Sequence, residues 1–147
     1  MRLGGARCEH LIRTSERGVL ATVHPVRGVD AVPVCFVIDA DRVAVPVDRI
    51  KPKTGGTLQR VRNLEHDRRA ALLCDRWDGD DWSQLWWVRA SLELTEGDQE
   101  HQVRTELEAA LRQKYHHYVD QSFTKLLVFR ITRLTGWSAS ASATEPA

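Results

Sequence analysis

The 147-residue chain is 42% hydrophobic and 28% charged, with a net charge of +1, the balance of one globular domain with a real core. Near-neutrality excludes a molecule-wide polyanion binder, so any basic function must be local. No apolar run approaches the ~18–20 residues of a membrane span, and the opening MRLGGARCEHLIRTSE lacks the apolar region of a secretory signal, so the expected location is cytoplasmic.

Residues 6–16 read as a short first helix with Leu11 and Ile12 as its apolar contacts. GVLATVH (18–24) is a β-branched strand ended by Pro25, with a turn at RGVD (27–30). AVPVCFVI (31–38) is almost continuously apolar, which predicts a strand buried on both faces. Asp39-Ala40-Asp41 is a tight turn, and RVAVPV (42–47) its hairpin partner. Pro33 and Pro46 cannot donate a ladder hydrogen bond, so each marks an edge, a bulge or backbone that faces a ligand.

The next stretch, DRIKPKTGGTLQRVRNLE (48–65), sets Arg49, Lys51, Lys53, Arg60 and Arg62 against only Asp48 and Glu65. Thr57 is a candidate N-cap for a helix running to about His66. RRAALLCD (68–75) is a strand, followed by a polar, tryptophan-studded loop, RWDGDDWSQL, in which Asp78, Asp80 and Asp81 suit turn capping. In WVRASLELT, Trp86, Val88, Ala90, Leu92 and Leu94 alternate onto one face, with Trp87, Arg89, Ser91 and Glu93 on the other. Asp98 caps a helix over 99–114 with Val103, Leu107, Ala110 and Leu111 as its buried stripe. KLLVFRITRLTGW (125–137) is the last strand. Two to three helices and about six strands, most of them hairpin-linked, predict a mainly β, α+β domain: an antiparallel barrel or sheet with the helices outside. One domain over 1–138 and a flexible, small-residue tail over 139–147 are expected.

KPKTGGT does not fit a P-loop, and no G-x-G-x-x-G follows a strand. No G-x-S-x-G elbow is present. The six histidines lack metal-site spacing, and adjacent His116 and His117 would point about 100° apart on a helix, so no metal is expected. Cys8, Cys35 and Cys74 are odd in number and widely spaced, so they read as small hydrophobes rather than a disulfide framework. His24, which ends a strand before a proline, reads as a surface residue; a proton-donor role is the sharper alternative. Tyr115 and Tyr118 with the His pair read as a helix end packed on the barrel.

What remains is the basic stretch and CDRWDGDDWSQLWWVR. A phosphorylated ligand needs donors that stay cationic at neutral pH. In an extended segment Arg49, Lys51 and Lys53 share one face, and helix amides after Thr57 add donors. The tryptophans supply flat apolar surface for a ring system. Trp86 reads as core, Trp87 as either a dimer interface or a ring contact, and Trp77 and Trp82 as site candidates.

VPVCFVID, VDRIKPK, LQRVRNLEHDRRAALLCDRWDGDDWSQLWWVRASLEL and the closing GWSAS together resemble the flavin/deazaflavin oxidoreductases. These have an FMN-binding-like split β-barrel related to pyridoxamine 5′-phosphate oxidase, and an actinobacterial branch uses coenzyme F420. The resemblance covers roughly residues 8–138. It implies a homodimer with a cofactor site at each side of the interface. The backbone of Val32, Pro33 and Val34 would face the ring system; Lys51 and Lys53, with Arg60 and Asn63 from the following helix, would meet the phosphate. Trp77, or a tryptophan among Trp82, Trp86 and Trp87, would come from the partner. Arg62 and Arg68 would suit the acidic tail of F420. The expected function is hydride transfer between F420 and a small organic substrate, with no catalytic side chain assigned, because the cofactor carries the chemistry. FMN in place of F420, or a non-catalytic cofactor carrier, are the alternatives. Nucleic-acid binding through the basic patch is disfavoured, since residues 48–69 set seven Lys/Arg against three Asp/Glu.

Overall fold

The computed structural model describes residues 1–47, 58–95, 100–123 and 125–141. Among these, three helices, α1 (Gly5–Thr14), α2 (Gln59–His66) and α3 (His101–Lys114), flank seven strands. The strands are β1 (Gly18–His24), β2 (Gly28–Val34), β3 (Val37–Asp39), β4 (Arg42–Val47), β5 (Arg69–Arg76), β6 (Trp86–Leu94) and β7 (Lys125–Ser138). All belong to one antiparallel sheet in the order β2-β1-β5-β6-β7-β4-β3. This is the antiparallel architecture with external helices that the hydrophobic periods predict. No described helix is long and apolar enough to cross a membrane.

The alternation read in β6 is the alternation observed: Trp86, Val88, Ala90 and Leu92 are buried, while Arg89 and Glu93 are exposed. With Leu20, Val43, Val45, Leu72 and Phe129 they form the main core, joined by Leu11 and Ile12 of α1 and Val61 and Leu64 of α2. Leu107 and Leu111 of α3 build a smaller core with Val37, Ala44 and Val128. The doubly buried strand is therefore β4, whose Val43 and Val45 join the main core while Ala44 packs with α3.

Residues 31–38 do not run as one such strand. β2 ends at Val34 and β3 begins at Val37. Between them, Phe36 N–H donates to the Tyr115 hydroxyl (3.1 Å) and Phe36 C=O accepts from Lys114 Nζ (2.9 Å). Both backbone groups that a continuous ladder would use are thus satisfied by the end of α3. Pro33 lies in β2, an edge strand, and Pro46 lies past the short β3, which pairs only with 42–44. Each proline sits where a ladder donor is dispensable.

The β1–β2 turn occupies 25–27, earlier than the predicted 27–30. His24 Nδ1 accepts from the N–H groups of Val26 and Arg27 (3.0 and 3.1 Å), and Arg27 forks onto Asp30 (3.1 and 3.0 Å). Gly28 closes the turn at φ +99°, a conformation that favours glycine. His24 is thereby committed to the hairpin. The N-cap of α2 is Leu58; Thr57, and Asp98 before α3, lie outside the described residues.

Cys8, Cys35 and Cys74 are free thiols. Burial pushes the Cys74 thiol up to about 11, so it stays protonated and unreactive at neutral pH.

Candidate functional site

Two cavities meet near the β2–β3 break. The smaller, of about 200 Å³, is lined by Pro33, Val34 and Cys35, by Pro46 of β4, and by Tyr118. Its charged lining is Arg17, just before β1, and Arg60, in the first turn of α2. Among the described residues no carboxylate contributes to this lining. Arg60 Nε is buried and has no hydrogen-bond partner among the described residues. A buried guanidinium N–H without an acceptor is costly, and such a group marks a place where an anion or ordered water completes the structure.

The larger cavity, of about 540 Å³, shares Arg17 with the first. Glu16, Asp75, Arg76 and Trp77 line it, together with Lys114 and Tyr115 at the end of α3. Lys114 Nζ lies 3.9 Å from the Phe36 ring centroid while donating to Phe36 C=O. Loss of hydration pulls its pKa from the ordinary 10.5 down to about 8. The Tyr115 hydroxyl sits 2.5 Å from Glu16 C=O and 3.0 Å from Phe36 C=O, and burial pushes its pKa up. Tyr115 therefore acts as a neutral strut between the entry to β1 and the β2–β3 break.

Of the residues the resemblance assigns to the cofactor, the structure gathers Pro33, Val34 and Arg60 around one cleft. The Val32 side chain packs against the main core. Lys51 and Lys53 lie outside the described residues. Asn63 is fully buried: its Nδ2 donates to Thr22 Oγ1 (3.0 Å) and Asp30 Oδ2 (2.8 Å), and its Oδ1 accepts from Gln59 Nε2 (2.8 Å). The amide is consumed in pinning α2 to β1 and β2, which corrects its assignment to a phosphate. The Asn63 bond, followed by Arg27, holds the Asp30 carboxyl below its usual range.

The tryptophans separate. Trp77 and Trp82 project from the β5–β6 loop, 67% and 65% exposed, with ring centroids 5.8 Å apart. Trp77 reaches the larger cavity; Trp82 lines neither. Trp87 stands on the outer sheet face opposite Trp137, with the Arg89 guanidinium 5.4 Å from its ring centroid. Asp78 accepts from the N–H groups of Asp80 and Asp81, and Asp81 from that of Ser83, so these acids do cap turns. Arg68 donates to Leu94 C=O, and Arg62 is exposed on α2.

Sequence reasoning missed Arg17 and Lys114. Neither belongs to a motif; both reach the site by pairings between segments far apart in the chain. Among the described residues no cluster of His, Cys, Asp or Glu is arranged to hold a metal ion.

No protein-family model and no curated protein matches the sequence. Solved structures do. A conserved hypothetical protein from Mycobacterium tuberculosis superposes with a TM-score of 0.70 at 19% identity, over 93% of this chain and 86% of that one. An FAD-binding protein from Mesorhizobium loti gives 0.68 at 11% identity, over 92% and 93%. A putative pyridoxamine 5′-phosphate oxidase from Corynebacterium glutamicum gives 0.57 at 11% identity, over 94% and 98%. At such identities the likeness establishes the fold, a split barrel, and one fold serves many functions.

Proposed function

We propose that the chain binds a phosphorylated, flavin-type redox cofactor, coenzyme F420 with FMN as the alternative, and transfers hydride between it and a small organic substrate. The observation that carries this reading is Arg60: a half-buried guanidinium whose Nε has no partner among the described residues, beside Arg17, in a cleft to which no described acid contributes. The donor set fits a phosphate, because guanidinium groups match its oxygens and stay charged at every working pH. Pro33, Val34, Pro46 and Tyr118 supply the apolar and aromatic wall that a ring system needs. Hydride chemistry comes from the cofactor when bound; Arg17 and Arg60 bind and orient it, with Lys51 and Lys53 as further phosphate donors. The preference for deazaflavin rests on the resemblance carried by residues 47–83.

A cleft of about 200 Å³ falls short of the roughly 300–1,000 Å³ usual for small-molecule sites. The described residues therefore form one wall, and a second copy of the chain is the proposed source of the other, with Trp77, Trp82 or Trp87 as its contribution. The outer face of β1, β2 and β5 supports this. It presents Val19, Ala21, Pro33, Ala31, Leu73 and Ala71 in register across three strands with no charge among them, and Pro33 also lines the cleft.

Titration of the protein with F420 and with FMN, read by cofactor and tryptophan fluorescence, tests the reading. Micromolar binding is expected, weakened about tenfold or more in Arg60→Met, the scale of one lost charged hydrogen bond. Binding of neither cofactor at tens of micromolar would sink it. Turnover of the reduced cofactor by a panel of enones and quinones then separates an enzyme from a carrier.

A further inference from the structure

The larger cavity has its own chemistry. Its volume of about 540 Å³ lies within the usual ligand range, roughly 300–1,000 Å³. Lys114 is the lysine in its lining. Its ammonium has three donors, of which Phe36 C=O takes one. The Phe36 and Tyr115 rings, 3.9 and 5.3 Å from Nζ to centroid, accept the charge from the sides. Among the described residues no acidic side chain forms an ion pair with it. Nearby stands Trp77, a large apolar ring left 67% exposed and braced by Trp82. A cation with spare donors and a bare aromatic face in one cavity form a matched pair of features.

We propose that this cavity is the second-substrate pocket and that it takes a flat organic anion, its carboxylate on Lys114 and its ring system against Trp77. The substrate role rests on the cofactor reading of the adjoining cleft; Arg17, common to both linings, places the two ligands side by side. Glu16 and Asp75 also line the cavity, with Arg17 and Arg76, and disfavour a second negative group placed beside them.

The test uses naphthoate and its uncharged amide as probes, titrated into the full chain without added cofactor and followed by tryptophan fluorescence. Naphthoate is expected to quench saturably and to bind about tenfold or more tighter than the amide, the scale of one charge-assisted bond. Lys114→Met, which keeps the apolar stem, should remove that preference; Lys114→Arg should restore most of it; Trp77→Ala should weaken both probes. Because this titration contains no cofactor, a failed cofactor cleft shows in the cofactor titration and not here. Equal affinity for acid and amide, or naphthoate binding unchanged in Lys114→Met when circular dichroism shows the variant folded, overturns the proposal.

Discussion

Lys114 has a thermodynamic signature apart from any ligand. Its folded pKa of about 8 lies below the ordinary 10.5, so between those values the unfolded chain holds a proton that the folded chain has released. Stability rises with pH wherever the unfolded state binds more protons. The burial penalty is therefore fully present below pH 8 and is lifted as pH climbs towards 10.5. The groups around it, Glu16, Arg17, Asp75, Arg76, His116 and His117 with Cys35 and Cys74, are unchanged in Lys114→Met and cancel to first order in a comparison. Urea denaturation of parent and variant should show the difference moving in the parent's favour by about 1–2 kcal/mol between pH 7.5 and pH 10, a figure discounted for partial solvent access. Parallel profiles would show that the amine is ordinarily hydrated.

α2 shows how a short element depends on tertiary anchors. Eight residues with no acidic first turn and no side-chain cap make a marginal helix by themselves. Val61 and Leu64 bury its apolar stripe, and Asn63 bonds it to both strands of the first hairpin. Asn63→Ala leaves Thr22, itself 2% exposed, without its donor and should cost about 2–4 kcal/mol by the usual penalty for breaking a buried polar network. The loss should also weaken cofactor binding, because Arg60 rides on the same helix; an unchanged denaturation midpoint would refute the latch. Features set by local period were legible in the sequence: the alternation of β6, the bounds of β1 and the turn at 39–41. The break at Phe36 was not, because its partners Lys114 and Tyr115 lie 78 and 79 residues away, and an apolar run carries no mark of a distant hydrogen bond. The candidate site divides the same way. The resemblance pointed to Arg60, Pro33 and Val34, which share a cleft; Asn63 is buried and bonded, and a buried amide and a ligand-facing amide look alike in sequence; Arg17 and Lys114 carried no local signal.

At the scale of the whole molecule, the outer sheet face is the surface on which the proposed second copy would sit. Cross-strand neighbours share a face, so Pro33–Val19–Leu73 and Ala31–Ala21–Ala71 form two parallel apolar rows. Val19 and Leu73 remain 37% and 39% exposed, and Val29 at the same face 68%. Val23 opposes Val29, which extends the patch to the end of the hairpin. Single exposed hydrophobes are unremarkable, but a contiguous apolar sheet face marks an interaction surface. A second copy on this face would also complete the half-walled cleft, since Pro33 belongs to both. Ala21→Glu would place one carboxylate at the centre of each face, and two copies brought together would bury both without partners. Sedimentation should therefore find the parent a dimer at tens of micromolar and Ala21→Glu a folded monomer, with cofactor affinity falling in step because the second wall is gone. A parent that sediments as a monomer, or a variant dimer that binds cofactor as before, would remove this face from the assembly and require the second wall to come from residues 48–57 of the same chain.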